Sequence, residues 1–255
     1  MIVAAEPESP VVSKVSPRIS LLILMGLLTG LAMLAPRQVP RGPREATWNE
    51  QVAAVRQGES NSIHVVSESI TDQQLQNLRG LTNLRELKLE AGKVTTGGLA
   101  VLPDLPQLEV LWLRGSRVDN AALKQIAKAR NLRRLNLPAA EFDDAGLAHL
   151  AELPQLEQLR FSSRRVTAGG VASLGRASSL RWLQLIDVPI DRAALREIAT
   201  LEKLESLYLD DIAVDESTLE EFFAARPDVH VHVDQQHHDR DPRWHTHGNG
   251  RPHRH

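Results

Sequence analysis

The sequence predicts an α/β solenoid, in which short strands and short helices alternate along most of the 255 residues. Three observations lead to this prediction. Apolar residues recur in columns at a fixed step of 24 residues. Each period then contains a helix-initiation signal, and apolar residues follow that signal at helical spacing. A single unit of this kind cannot bury its own leucines, whereas a stack of units can.

The composition is that of a globular protein and excludes several functional classes. The chain is 42% hydrophobic and 24% charged, with a net charge of -2. This near-neutral balance does not favour a nucleic-acid-binding protein, which is usually basic. Cysteine is absent. Disulfides, thiolate metal sites and cysteine catalysis are therefore excluded.

The chain begins with a tail over residues 1–18, and an uncharged apolar run follows over residues 19–35. As a helix this run spans about 25 Å, the short end of what crosses a bilayer. We expect an uncleaved single-pass membrane anchor. A cleaved signal peptide and a buried helix are the alternatives. The cleaved form is disfavoured because the leader is long and Pro36 directly follows the run.

The charges beside the apolar run do not fix its orientation, because basic residues flank it on both sides. A signal-anchor interpretation favours an extracytoplasmic repeat domain. Residues 36–44 contain three prolines and are expected to form a linker. Residues 45–58 predict a helix that caps the repeats, with a capping box at Thr47 and Glu50 and a stop at Gly58.

The repeats are predicted over residues 59–233, and three apolar columns define the strand of each unit. The columns are Leu84, Leu108, Leu132, Leu156, Leu180, Leu204; Leu87, Leu111, Leu135, Leu159, Leu183, Leu207; and Leu89, Leu113, Leu137, Phe161, Leu185, Leu209.

A column of side chains that can cap a helix N-terminus follows each strand. Its members are Thr71, Thr95, Asp119, Asp143, Thr167, Asp191 and Asp215. Small residues come next, for example Gly97-Gly98 and Gly169-Gly170. They predict close packing of neighbouring helices rather than a phosphate-binding loop, because no strand, glycine-rich turn and lysine pattern accompanies them.

The Leu-x-x-Leu-x-Leu pattern at this period resembles the leucine-rich-repeat family. The segment ITDQQLQNLRGLTNLRELKLEAGKVTTGGL is most similar to bacterial, planctomycete-like repeats related to the ribonuclease-inhibitor-like class. The resemblance implies a right-handed solenoid with parallel strands on its concave face and short helices on its convex face. The position that holds an asparagine in many repeats is instead Gly92, Ser116, Ala140, Arg164, Val188 and Ile212, which predicts a looser crossover.

In that fold, the residues between the core leucines point into the hollow. Three of the five Trp and Tyr residues of the chain fall at such positions. Trp, Tyr and Arg dominate the binding energy of protein interfaces. We therefore predict that a protein or peptide partner binds here. The alternative is that the tryptophans only pack on neighbouring side chains. The predicted partner-binding residues are Trp112, Arg134, Asn136, Arg160, Trp182 and Tyr208.

No catalytic constellation emerges, so an enzyme is not expected, and neither are a cofactor and a metal site. Residues 234–255 are polar and rich in histidine, which predicts a disordered tail. The sequence thus favours a membrane-tethered scaffold that binds a protein or peptide. The alternatives are a metal-binding or metal-buffering protein that acts through the histidine tail, and a structural spacer of the cell envelope.

Overall fold

The computed structural model describes residues 44–237. The predicted N-terminal tail, membrane anchor and most of the linker lie outside the described residues, as does most of the predicted histidine-rich tail. Within residues 44–237, no helix is both long enough and apolar enough to cross a membrane. The described residues from Ala46 onwards belong to one compact unit.

One nine-stranded sheet carries the repeats, and its strands follow one another in chain order. The first eight strands are parallel. They are β1 (Ser62–Val65), β2 (Glu86–Leu89), β3 (Val110–Leu113), β4 (Arg134–Leu137), β5 (Gln158–Ser162), β6 (Trp182–Ile186), β7 (Ser206–Asp210) and β8 (His230–Val233), followed by the short β9 (Gln236–His237).

A helix precedes β1, and a short helix follows each strand from β1 to β7. The helices are α1 (Trp48–Arg56), α2 (Asp72–Leu75), α3 (Thr96–Leu99), α4 (Asn120–Ile126), α5 (Asp144–Leu150), α6 (Ala168–Ala172), α7 (Arg192–Ala199) and α8 (Glu216–Ala225). Three 3-10 turns add to α2, α3 and α6, and they are Gln76–Leu78, Leu102–Asp104 and Ser173–Arg176. These elements form seven strand–helix units and a closing strand, which confirms the predicted alternation of short strands and short helices.

The apolar columns form one continuous core. Leu87 pairs with Leu111, and Leu111 pairs with Leu135, so each strand is offset from the next by one repeat. All members of the three predicted columns are buried, at 2% exposure or less. Burial of one leucine contributes about 1.5–3 kcal/mol, so these columns dominate the stability of the unit.

The predicted capping column is confirmed. Each of its seven residues has the extended backbone of an N-cap, and in six of them the side chain accepts a hydrogen bond from a free amide of the helix. Asp119 Oδ1, for example, accepts from the Ala122 amide at 2.8 Å. Caps of this kind stabilise a helix by about 1 kcal/mol, which matters for helices of one or two turns.

The first residue of one helix also bonds the cap of the next helix. Asp72 accepts from the Thr95 amide at 2.7 Å, and Asp144 accepts from the Thr167 amide at 2.7 Å. Asn120 instead donates to Asp143 Oδ1 at 2.7 Å. In these contacts an acid always faces a donor and never another acid. The caps are therefore linked from repeat to repeat as well as to their own helices.

Glycine makes room for these inter-repeat bonds. A Cβ atom at Gly98 would overlap the Asp72 carboxylate, and one at Gly170 would overlap the Asp144 carboxylate. The small residues thus admit a polar side chain from the preceding helix. This contact is more specific than the close helix packing that the sequence predicted.

Backbone hydrogen bonds connect neighbouring repeats at the crossover position where many leucine-rich repeats carry an asparagine. The Gly92 amide donates to Arg114 O at 2.9 Å, and the Ala140 amide donates to Ser162 O at 3.0 Å. In addition, Ser116 Oγ accepts from the Val94 amide at 3.3 Å. These bonds satisfy some of the backbone polar groups that would otherwise need an asparagine side chain as a partner.

The first strand of the sheet is protected by the capping helix. The predicted capping box forms between Thr47 and Glu50, and Trp48 is fully buried. The Gln51 amide accepts from His64 N at 2.7 Å and donates to His64 O at 2.8 Å. Gln51 thus takes the place of a neighbouring strand and blocks pairing at this edge.

The last parallel strand is protected by a hairpin, which corrects the predicted boundary of the tail. Residues 234–237 are ordered rather than part of a disordered tail, because β9 pairs antiparallel with β8. Asp234 and Gln235 form the two-residue turn, with φ values of 49° and 63°. Positive φ at both central residues is typical of a type I′ hairpin turn. The sequence did not indicate this hairpin because its turn lacks the glycine that usually marks such turns.

The glycine contacts predict opposite effects of two adjacent substitutions in α6. Gly169→Ala should stabilise the protein by about 0.5–1 kcal/mol, since alanine favours helix and the nearest foreign atom to its Cβ is 3.5 Å away. Gly170→Ala should destabilise it by about 1–3 kcal/mol, because the clashing Asp144 carboxylate is held by two bonds to Thr167. Urea denaturation of both variants measures the difference. Equal effects would exclude a packing role for Gly170.

The N-cap of α8 predicts that the stability of the protein depends on pH at acidic values. Hydrogen bonds from the Ser217 and Thr218 hydroxyls and from the Thr218 amide lower the pKa of Asp215 to about 2. Its ordinary value is 3.8, so this cap contributes fully above pH 4 and is lost as the pH falls towards 2. Asp215→Asn keeps a capping oxygen without the charge. Its denaturation midpoint should therefore fall less steeply between pH 4 and pH 2 than that of the wild type, and equal slopes would contradict this.

Candidate binding surface on the strand face

The strand face is formed by the side chains that point away from the core. Two columns on it run across β1 to β8. The first column is Ser62, Glu86, Val110, Arg134, Gln158, Trp182, Ser206 and His230, and the second column is His64, Lys88, Trp112, Asn136, Arg160, Gln184, Tyr208 and His232. All six predicted binding residues lie in these columns. Arg134 is exposed, and the other five are half-buried.

The strand face contains an open depression of about 850 Å³. It is lined by Glu109, Arg133, Arg134, Glu157, Gln158, Trp182, Gln184 and Tyr208. The depression brings together three predicted residues, namely Arg134, Trp182 and Tyr208. Trp112, Asn136 and Arg160 lie on the same face but do not line the depression.

Both tryptophans of the strand face contact a cation. Lys88 Nζ lies 4.9 Å from the ring centroid of Trp112, and the Arg181 guanidinium lies 4.6 Å from that of Trp182. Each ring is therefore covered on one side by a long basic side chain, which holds it in place. Tyr208 stacks on His232, with ring centroids 4.3 Å apart. The aromatic residues form a pre-ordered surface with limited rotamer freedom.

A ladder of alternating charge borders this surface, and the sequence analysis missed it. Directly before the strands, one column reads Arg85, Glu109, Arg133, Glu157, Arg181 and Glu205. Ion pairs join its members two by two, as Arg85–Glu109, Arg133–Glu157 and Arg181–Glu205. Strict alternation at the 24-residue step was the signal that could have revealed it. Because the pairs are exposed, each contributes little to stability. Three members of the ladder, Glu109, Arg133 and Glu157, line the depression.

Arg160 lies in the middle of the strand face without a carboxylate partner among the described residues. Asn136 on β4 and Gln184 on β6 are its lateral neighbours. Its Nη1 donates to Asn136 Oδ1 at 3.2 Å. Burial and the nearby Arg114 lower the pKa of Arg160, and Asp210 partly opposes them. The side chain stays charged, but its charge is poorly compensated.

The described residues contain no cluster of three His, Asp or Glu side chains that could hold a metal ion. His230 and His232 share one face of β8, and His232 is engaged with Tyr208. The remaining histidines of the predicted tail, apart from His237, lie outside residues 44–237.

Comparisons with known proteins identify the fold. No protein-family model and no curated protein matches the sequence. Among solved structures, the chain is similar to internalin C2 from Listeria monocytogenes, with 23% sequence identity and a TM-score of 0.54. The similarity covers 76% of this chain and 79% of the internalin chain. At this identity the comparison shows the fold alone, which is the predicted leucine-rich-repeat fold.

Proposed function

We propose that this leucine-rich-repeat protein is a non-enzymatic scaffold that binds a protein or peptide partner on its strand face. We further propose that residues 19–35 tether it to a membrane. The observation that carries the proposal is the depression in which Arg134, Trp182 and Tyr208 meet. These are the residue types that dominate interface energies, and they are concentrated where a convex partner fits.

The rigidity of the surface supports the same function. The strands that carry the depression are fixed by the core beneath them, and cations hold the two tryptophan rings. Binding therefore requires little loss of conformational entropy on this protein's side of the interface. The same cation contacts are expected if the tryptophans only pack on neighbouring side chains. An experiment must therefore separate partner binding from packing.

Binding at the depression predicts a large loss of affinity when its aromatic residues are truncated. Trp182→Ala or Tyr208→Ala should each weaken partner binding about thirtyfold, which corresponds to about 2 kcal/mol. Capture of partners from native membranes, quantified against the wild type, measures this loss. Arg176→Ala, an exposed change on the helix side, is the control and should leave capture unchanged.

The same aromatic variants should melt close to the wild-type temperature, because neither side chain belongs to the core. A Trp182→Ala protein that unfolds several degrees lower but retains its partners would show that the ring only packs. Comparison with Trp112→Ala then tests whether binding extends beyond the depression to the other predicted tryptophan.

The proposed tether predicts how the protein fractionates. The full-length chain should sediment with membranes and resist extraction by high salt, because about 17 apolar residues hold it in the bilayer rather than surface charge. A variant without residues 1–44 should remain in the supernatant. Recovery of the full-length protein in the soluble fraction would exclude the anchor. A mature chain that starts near Pro36 would instead identify a cleaved signal peptide.

A further inference from the structure

The arginines of the strand face differ in how their charge is balanced. Arg114 pairs with Glu90 at 3.0 Å, and Arg134 contacts Glu86 at 3.4 Å. The arginines of the charge ladder each have their own glutamate. Arg160 is the exception among the described residues of this face. Its five N–H donors have one protein acceptor, the neutral Asn136 amide.

Asp210 is the carboxylate whose charge acts on Arg160, but other groups hold it, and it is buried at 5% exposure. Its two oxygens accept from Gln184 Nε2 at 2.6 Å and from the Gln235 amide at 3.0 Å. The second column itself contains no Asp or Glu. Side-chain rotation within the column therefore cannot supply a counter-charge.

A half-buried cation without a counter-ion is unfavourable, because burial removes water without providing a compensating charge. The same setting makes the position favourable for an incoming anion. The planar guanidinium also offers the parallel donors that match a carboxylate.

We infer that Arg160 is the anchor for a carboxylate of the partner, supplied by an Asp or Glu side chain. This inference rests on the proposed function, and it specifies the chemistry of the partner. Tyr208 lies two strands away in the same column, about 10 Å at the usual strand spacing. The acidic group should therefore be followed within a few residues by an apolar side chain that enters the depression.

A carboxylate fits this surface better than a phosphate group does. Arg160 offers a single uncompensated charge, because its lateral neighbours Asn136 and Gln184 are neutral and the nearby Arg114 is paired with Glu90. One carboxylate balances that charge, whereas a doubly charged phosphate would retain a half-buried negative charge of its own. The predicted ligand is thus an acidic peptide rather than a phosphopeptide.

Selection from a random phage-displayed peptide library tests the inference. The full-length protein is immobilised in a non-ionic detergent as the wild type, as Arg160→Gln and as the control Arg176→Gln. Wild type and control should enrich peptides with Asp or Glu near an aromatic or large aliphatic residue. Arg160→Gln should lose this acidic preference, and it should bind a selected acidic peptide about tenfold more weakly or worse. Arg160→Lys keeps the charge but not the paired donors, so its affinity should be intermediate.

The outcomes separate this inference from the proposed function. Peptides that depend on Trp182 but show no acidic preference, or that bind Arg160→Gln as well as wild type, would overturn the carboxylate anchor and leave the binding surface intact. Failure to enrich any peptide that depends on Trp182 would overturn both. Thermal denaturation gives a second readout. Arg160→Gln should melt at the wild-type temperature or higher, since it removes an uncompensated charge, and a clear drop would show that Arg160 is structural.

Discussion

The strict 24-residue register between neighbouring strands is the constraint on which the rest of the structure depends. A strand of four or five residues and a helix of one to three turns cannot bury their leucines alone. They are stable only when each unit lies directly on the previous one. Leu87, Leu111 and Leu135 therefore stack as lateral neighbours, and the same holds for every other position of the repeat.

This register turns each repeat position into a row of neighbours, so polar residues one repeat apart lie side by side as apolar ones do. Like charges one repeat apart would face each other at about the strand spacing. The sequence avoids this in two places. Arginine and glutamate alternate in the ladder before the strands, for example at Arg133 and Glu157. Between helices, an acid at the first helical position, as in Asp144, faces a threonine cap rather than an aspartate.

Much of the fold could be predicted from the sequence, because columns of leucine and capping residues report directly on one repeated geometry. The core and the N-caps followed from this pattern, and the resemblance to leucine-rich repeats implied the parallel strands. The short hairpin at Gln236–His237 did not, because its turn of Asp234 and Gln235 has no glycine and lies among polar residues. The anchor over residues 19–35 lies outside the described residues and stays a prediction.

The candidate site was less predictable, because columns show which face a residue occupies but not which side chains share a partner. The sequence placed both Trp112 and Trp182 on the strand face, yet only Trp182 lines the depression. The Arg133–Glu157 ion pair at its rim escaped notice, since charged residues before a strand normally indicate only exposure.

The position of Arg160 follows from the same rule of neighbours. In a stacked repeat, a charge can be balanced within its own row or by the rows on either side. Arg114 and Arg134 are balanced within their own rows, by Glu90 one repeat away and by Glu86 two repeats away. The row of Arg160 offers only neutral amides beside it, and the adjacent Asp210 is held by Gln184 and by the backbone of the closing hairpin. The arginines around the centre of the strand face are therefore compensated and Arg160 is not, which is why the proposed carboxylate is placed there.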